Sequence, residues 1–124
     1  MEFKIYYLRW KPFARKYGNN KLTQQIVLPE VRDLVLDKDF YLFMCSNTTD
    51  TDNIEEFLES MFSLFNSDEN PLSNPDKQKE IIDNECHTSM SVGDLISFKD
   101  KLFVVGTMGF LEITDSQIIE RFAN

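Results

Sequence analysis

Leu95-Ile96-Ser97-Phe98-Lys99-Asp100-Lys101-Leu102-Phe103-Val104-Val105 reads as a β-hairpin, because two apolar runs flank a short polar connection. Val92-Gly93-Asp94 forms a turn that launches the first run. Gly106 and Gly109 around Thr107-Met108 mark a turn or bulge after the second, and Phe110-Leu111-Glu112-Ile113 follows as one more short strand. At the other end of the chain, residues 3–10 are aromatic and apolar with partial alternation. Phe3, Ile5 and Tyr7 share one face and Lys4, Tyr6 and Leu8 the other, which predicts a strand buried on at least one side. Phe40-Tyr41-Leu42-Phe43-Met44-Cys45 is continuously apolar, the pattern of an interior strand.

Between these strands the period changes. Ile54, Phe57, Leu58, Met61, Phe62 and Phe65 recur at helical spacing and predict one long amphipathic helix over about 53–66. Asp52 and Glu55, three positions apart, fit a capping box, and Glu55 and Glu56 in the first turn complement the helix dipole. Lys11 to Asn20 is basic and closes on Gly18-Asn19-Asn20, a turn. Leu22 to Val27 fits strand or short helix, and Glu30 to Val35 fits one helical turn or a loop. Asn66 to Asp76 carries Pro71 and Pro75 and reads as loop. Asp76 to Asn84 reads as a short polar helix with Ile81 and Ile82 inward. Thr114 or Asp115 caps a short C-terminal helix with Ile118, Ile119 and Phe122 inward. Strands at both ends with helices between them predict a single α+β domain, 1–124, built on a small, mainly antiparallel sheet.

The 124 residues carry a formal net charge of −8 and two cysteines. No apolar run approaches the ~18 residues of a membrane span. Met1-Glu2-Phe3-Lys4 has no long apolar region behind it, so no secretory signal is expected and the chain reads as cytoplasmic with reduced thiols. Charge is unevenly placed: residues 1–38 sum to +4, residues 39–94 to −11 and residues 95–124 to −1. The acidic middle repels phosphate backbones, which disfavours direct nucleic-acid binding.

Ser89-Met90-Ser91-Val92-Gly93-Asp94-Leu95-Ile96, Leu102-Phe103-Val104-Val105 and Gly109-Phe110, with the opening Phe3-Lys4-Ile5-Tyr6, resemble the YodL-like domain family of conjugative elements, plasmids and phages. Where that family has an aromatic pair and an Asp-Ser before Gly-Phe, this chain has Val104-Val105 and Thr107-Met108. The resemblance implies a mobile-element setting and no defined activity.

Candidate chemistry is sparse. Ser89 to Asp94 lacks the Gly-x-Ser-x-Gly elbow, and its serines and Asp94 read as turn-forming groups around Gly93. Cys86 and His87, with Asp83 or Glu85 and with Asp94 nearby in sequence, are the one place for a small enzyme or metal site. Their spacing matches no zinc motif, so no metal and no cofactor are expected. Arg9, Trp10, Lys11, Arg15 and Lys16 interleave cations and aromatics as a single-strand platform does, the alternative reading of a nucleic-acid-binding accessory protein. Eleven phenylalanines exceed what a small core needs, which leaves one or two for an interface. The reading that follows is a non-enzymatic inhibitor or modulator from a mobile element or phage. It offers Asp50, Asp52, Glu55, Glu56, Glu59, Asp68 and Glu69 to a basic host protein such as a restriction or CRISPR nuclease.

Overall fold

Alternation along the first strand sets the architecture. In the computed structural model, which describes residues 1–123, β1 (Glu2–Leu8) lies inside a five-stranded antiparallel sheet of order β2-β1-β3-β4-β5. The other strands are β2 (Tyr41–Thr48), β3 (Leu95–Phe98), β4 (Leu102–Gly106) and β5 (Gly109–Ile113). Phe3, Ile5 and Tyr7 enter one core, and Tyr6 and Leu8 the other. Both faces of the sheet are therefore covered, as its densely apolar strands require. Helices α3 (Ile54–Phe65) and α4 (Pro75–Asp83) pack on the first face; α1 (Trp10–Tyr17), α2 (Asn19–Ile26) and α5 (Ser116–Ala123) pack on the second.

Aromatic contacts dock both layers. The Phe57 ring on α3 meets Phe3 edge-on at 5.0 Å and Phe98 at 5.8 Å. On the other side Phe122 of α5 meets Tyr6 at 5.3 Å and Tyr41 at 5.5 Å, and the Tyr6 hydroxyl donates to the Phe122 carbonyl at 2.9 Å. Each such aromatic pair adds about 0.5–1.5 kcal/mol beyond the area it buries. Gln25, fully buried on α2, donates to the Val35 carbonyl at 2.8 Å and accepts from the Val35 N–H at 3.0 Å, which pins the return segment beneath the sheet.

The 95–105 hairpin and the strand after it form as expected, and Asp115 caps α5 by accepting from the Gln117 and Ile118 N–H groups. Other elements differ. Helix α3 spans 12 residues and is one of five helices among the described residues, not a dominant long one. Its cap is Asn53, whose side chain accepts from the Glu56 N–H at 3.2 Å. Asn53 takes the cap because the Thr51 hydroxyl holds its N–H at 3.1 Å, which leaves Asp52 in solvent. The basic stretch after β1 is helix α1: Pro12 sits in its first turn, where no N–H is needed, Phe13 faces the core, and Arg15 and Lys16 meet the negative helix end. Strand β2 is an edge and not interior. Its continuous apolar run reflects a bulge that puts both Met44 and Cys45 on the α3 side while Phe43 stays largely exposed. On α4, Ile81 is buried but Ile82 is 60% exposed, since consecutive helical residues cannot both face one core.

Candidate functional site

Apart from Asp76, which is exposed at the start of α4 and has no cation within 4.0 Å among the described residues, the acidic residues of 50–85 separate into two groups. On and after α4, Glu80 pairs with Lys77 at 3.6 Å, Asp83 with Lys79 at 2.5 Å, and Glu85 with Arg15 of α1 at 2.7 Å. The Arg15 hydrogen bond holds the Glu85 carboxyl below its usual range. Asp50, Asp52, Glu55, Glu56, Glu59, Asp68 and Glu69 are all exposed, and among the described residues none has a cation within 4.0 Å. They occupy the outer side of α3 and both of its ends, about 18 Å of helix at 1.5 Å per residue. Glu55 and Glu59 stand four apart, a like-charge spacing that opposes the helix carrying it. The helix dipole favours Glu55 in the first turn but gives no such support to Glu59 in mid-helix.

The basic-aromatic segment is largely occupied from within. Arg9 donates to the Asn84 carbonyl at 3.4 Å and the Asp39 carbonyl at 3.2 Å, Arg15 holds Glu85, and Lys16 lies 3.5 Å from Asp37. Trp10 is half-buried with its ring 5.5 Å from that of His87. Lys11 alone of the five is neither paired nor packed among the described residues.

Cys86 and His87 diverge. The Cys86 thiol turns inward toward the Tyr7 carbonyl at 3.9 Å, whereas the exposed His87 ring stacks on Trp10. Burial, and then the nearby Asp94, push the Cys86 thiol up to about 12, and burial also raises Cys45. No three His, Cys, Asp or Glu side chains among the described residues converge on a point where a metal would sit. Asp94 is 1% exposed. Its carboxyl accepts from the Leu8 N–H at 2.8 Å and the Ser91 N–H at 2.7 Å, while Gly93 adopts φ 98°. Burial pushes its pKa well above the usual carboxylate range, against the pull of those two donors. Asp94 thus ties the turn to the end of β1, in keeping with its reading as a turn-forming group.

Sequence reasoning did not find the surface beside the acidic helix. Phe62, at the end of the apolar stripe of α3, is 37% exposed and borders a recess of about 350 Å³ with Glu59, Ser63 and Phe110 of β5. A second recess of about 340 Å³ lies across β5, lined by Leu28, Pro29, Met108 and Leu111. Leu28 is 72% and Met108 98% exposed. The Met108 signal was present in the sequence, because the second residue of a two-residue turn between Gly106 and Gly109 has nowhere to be buried.

No helix among the described residues is long and apolar enough to cross a membrane. No family model matches the chain, and no solved structure matches it. Among curated proteins, an uncharacterized protein of Acanthamoeba polyphaga mimivirus is 40% identical over 72 residues, covering 57% of this chain and 67% of that relative.

Proposed function

This chain belongs to one family with that mimivirus protein, and from that premise we propose that it is a non-enzymatic binding module encoded by a virus or mobile element. Its acidic face occupies a cationic surface, of the kind that holds nucleic acid, on a host protein. A viral relative supports the setting. The observation that carries the mechanism is the contrast on one side of the molecule. Seven carboxylates around α3 are left without cations among the described residues, while Glu80, Asp83 and Glu85, on and just after α4, are each paired. Unpaired like charges on a rigid helix focus negative potential and steer cationic partners. Phe62 beside Glu59 adds the apolar anchor that a protein interface needs and a merely solubilising surface does not.

The test is capture from nuclease-treated host lysate at about 0.15 M salt, where screening acts beyond about 8 Å. Wild-type protein retains a basic nucleic-acid-binding protein, and the triple variant Glu55→Lys, Glu56→Lys, Glu59→Lys releases it. Capture unchanged by the reversal refutes the mechanism. Single-stranded oligonucleotides give no band shift with the wild-type protein.

A further inference from the structure

We propose that the outer edge of β5 takes an extended segment of the partner as an added strand, with cationic side chains at alternate positions facing Glu59 and Glu112. This deepens the acidic-face reading and rests on it.

Register shows which backbone groups are free. The Val105 N–H donates to the Asp94 carbonyl at 2.9 Å, and the Val105 carbonyl accepts from the Gly93 N–H at 2.8 Å, so both groups of Val105 turn toward β3. Val104 and Gly106 consequently turn theirs toward β5, where Leu111 and Gly109 are their partners. Phe110 and Glu112, the intervening residues, direct their N–H and C=O groups outward, and among the described residues β5 pairs with β4 alone.

The two edges of the sheet differ in protection. β2 is interrupted by its bulge at Met44, and Lys77 donates to the Met44 carbonyl at 3.1 Å. β5 has no lysine, proline or bulge; Glu112 is its one charge, and the Val31–Asp33 turn that touches it leaves the Phe110 and Glu112 backbone groups without a hydrogen bond among the described residues.

Side-chain space matches an added strand. Successive residues of such a strand point to opposite sheet faces, and β5 has a recess on each. On the α3 side are Phe62, Phe110 and Glu59, with Glu112 two residues along on the same face, since it lies opposite Phe103 of the α3-side core. On the other side Leu28, Pro29 and Leu111 form an apolar recess whose rim acid, Glu30, is already paired with Arg32 at 2.8 Å. The matching occupant alternates Lys or Arg with Val or Leu. Backbone bonds supply affinity and the two recesses select its side chains.

The probe is a fluorescent Lys-Val-Arg-Val-Lys-Val peptide, read by anisotropy and by hydrogen exchange of the full chain. Binding protects the Phe110 and Glu112 amides. Methylating the peptide nitrogens that face β5 weakens binding about tenfold or more, because it removes two hydrogen bonds while keeping every charge. The paired variant Glu59→Gln, Glu112→Gln weakens it severalfold without altering exchange elsewhere in the sheet. Equal binding of methylated and unmethylated peptides, or unchanged exchange at Phe110 and Glu112, overturns the proposal. Polylysine separates the two readings. If it binds and is released by Glu55→Lys with Glu56→Lys while the peptide leaves β5 unprotected, the edge proposal falls and the acidic-face reading stands. If neither polylysine nor peptide binds, both fall.

Discussion

Replacing Asp94 by alanine tests how the turn at Gly93 is tied to the first strand. The carboxyl serves two backbone donors, Leu8 N–H at 2.8 Å and Ser91 N–H at 2.7 Å, and sits 1% exposed. Each donor left unsatisfied in the interior costs about 1–3 kcal/mol. Release of the buried carboxyl and entry of water offset part of this, leaving an expected loss of about 2–4 kcal/mol. For 124 residues the unfolding entropy near 60 °C is about 0.26 kcal/mol/K, so each kcal/mol moves Tm by about 4 °C. Scanning calorimetry and urea titration should therefore show Tm lower by about 8–16 °C. Asp94→Asn does not rescue, because an amide has one acceptor oxygen where even a protonated carboxyl offers a lone pair on each. The gap also has a pH signature. Burial raises the folded pKa of Asp94, so above the unfolded value near 4 the folded chain holds a proton that the unfolded chain has lost. Stability from this group is greatest in acid and declines as pH climbs toward the folded value. The wild-type advantage over Asp94→Ala should shrink between pH 4 and pH 7. An alanine variant within about 0.5 kcal/mol of wild type, or a gap that widens with pH, would refute the reasoning.

Ile81→Ala should cost about 2–4 kcal/mol in urea titration, whereas Ile82→Ala, at an exposed neighbour, stays within about 0.5 kcal/mol. Gly93→Ala should destabilise by about 1–3 kcal/mol, since φ is 98° and a Cβ would lie 3.1 Å from the Gln25 carbonyl oxygen. With the half-buried Cys86 thiol pushed up to about 12 by burial and Asp94, a disulfide reagent at pH 8 should label it, in a Cys45→Ser background, at least tenfold more slowly in native than in urea-unfolded protein. Equal rates for native and unfolded protein would contradict that shift.

The layers also distribute charge. Residues 50–85, which build the α3–α4 layer, contain eleven acidic side chains and two lysines, while residues 9–38, on the opposite face of the sheet, contain seven basic and three acidic ones. Such a molecule presents one orientation to a cationic surface before any contact forms, which favours fast, salt-sensitive encounter. Arg15 and Glu85 bridge the two layers; their pairing uses one of the few N-terminal cations that reaches the acidic segment.

The elements that sequence reading found are those whose signal is local. β1 alternates because each residue must choose a face, α3 repeats at helical period because one side is buried, and the 95–105 hairpin lies within a dozen residues. Turn chemistry around Gly93 and between Gly106 and Gly109 is local in the same sense. Non-local choices were hidden. Whether β2 lies inside the sheet or at its edge depends on which strand hydrogen-bonds β1 on its other side, and that strand is β3, about fifty residues later in the chain. The Asp94–Leu8 bond spans 86 positions, the occupied state of Arg9 and Arg15 depends on the turn after α4, and the choice of Ile81 over Ile82 depends on the angle at which α4 meets the sheet. Even the cap of α3 turned on the Thr51 hydroxyl taking the Asn53 N–H. Patterning determines which side chains seek an interior. The assembled sheet determines which backbone groups, carboxylates and aromatic rings are left over, and the free edge of β5 beside Phe62 and Glu59 is made of those remainders.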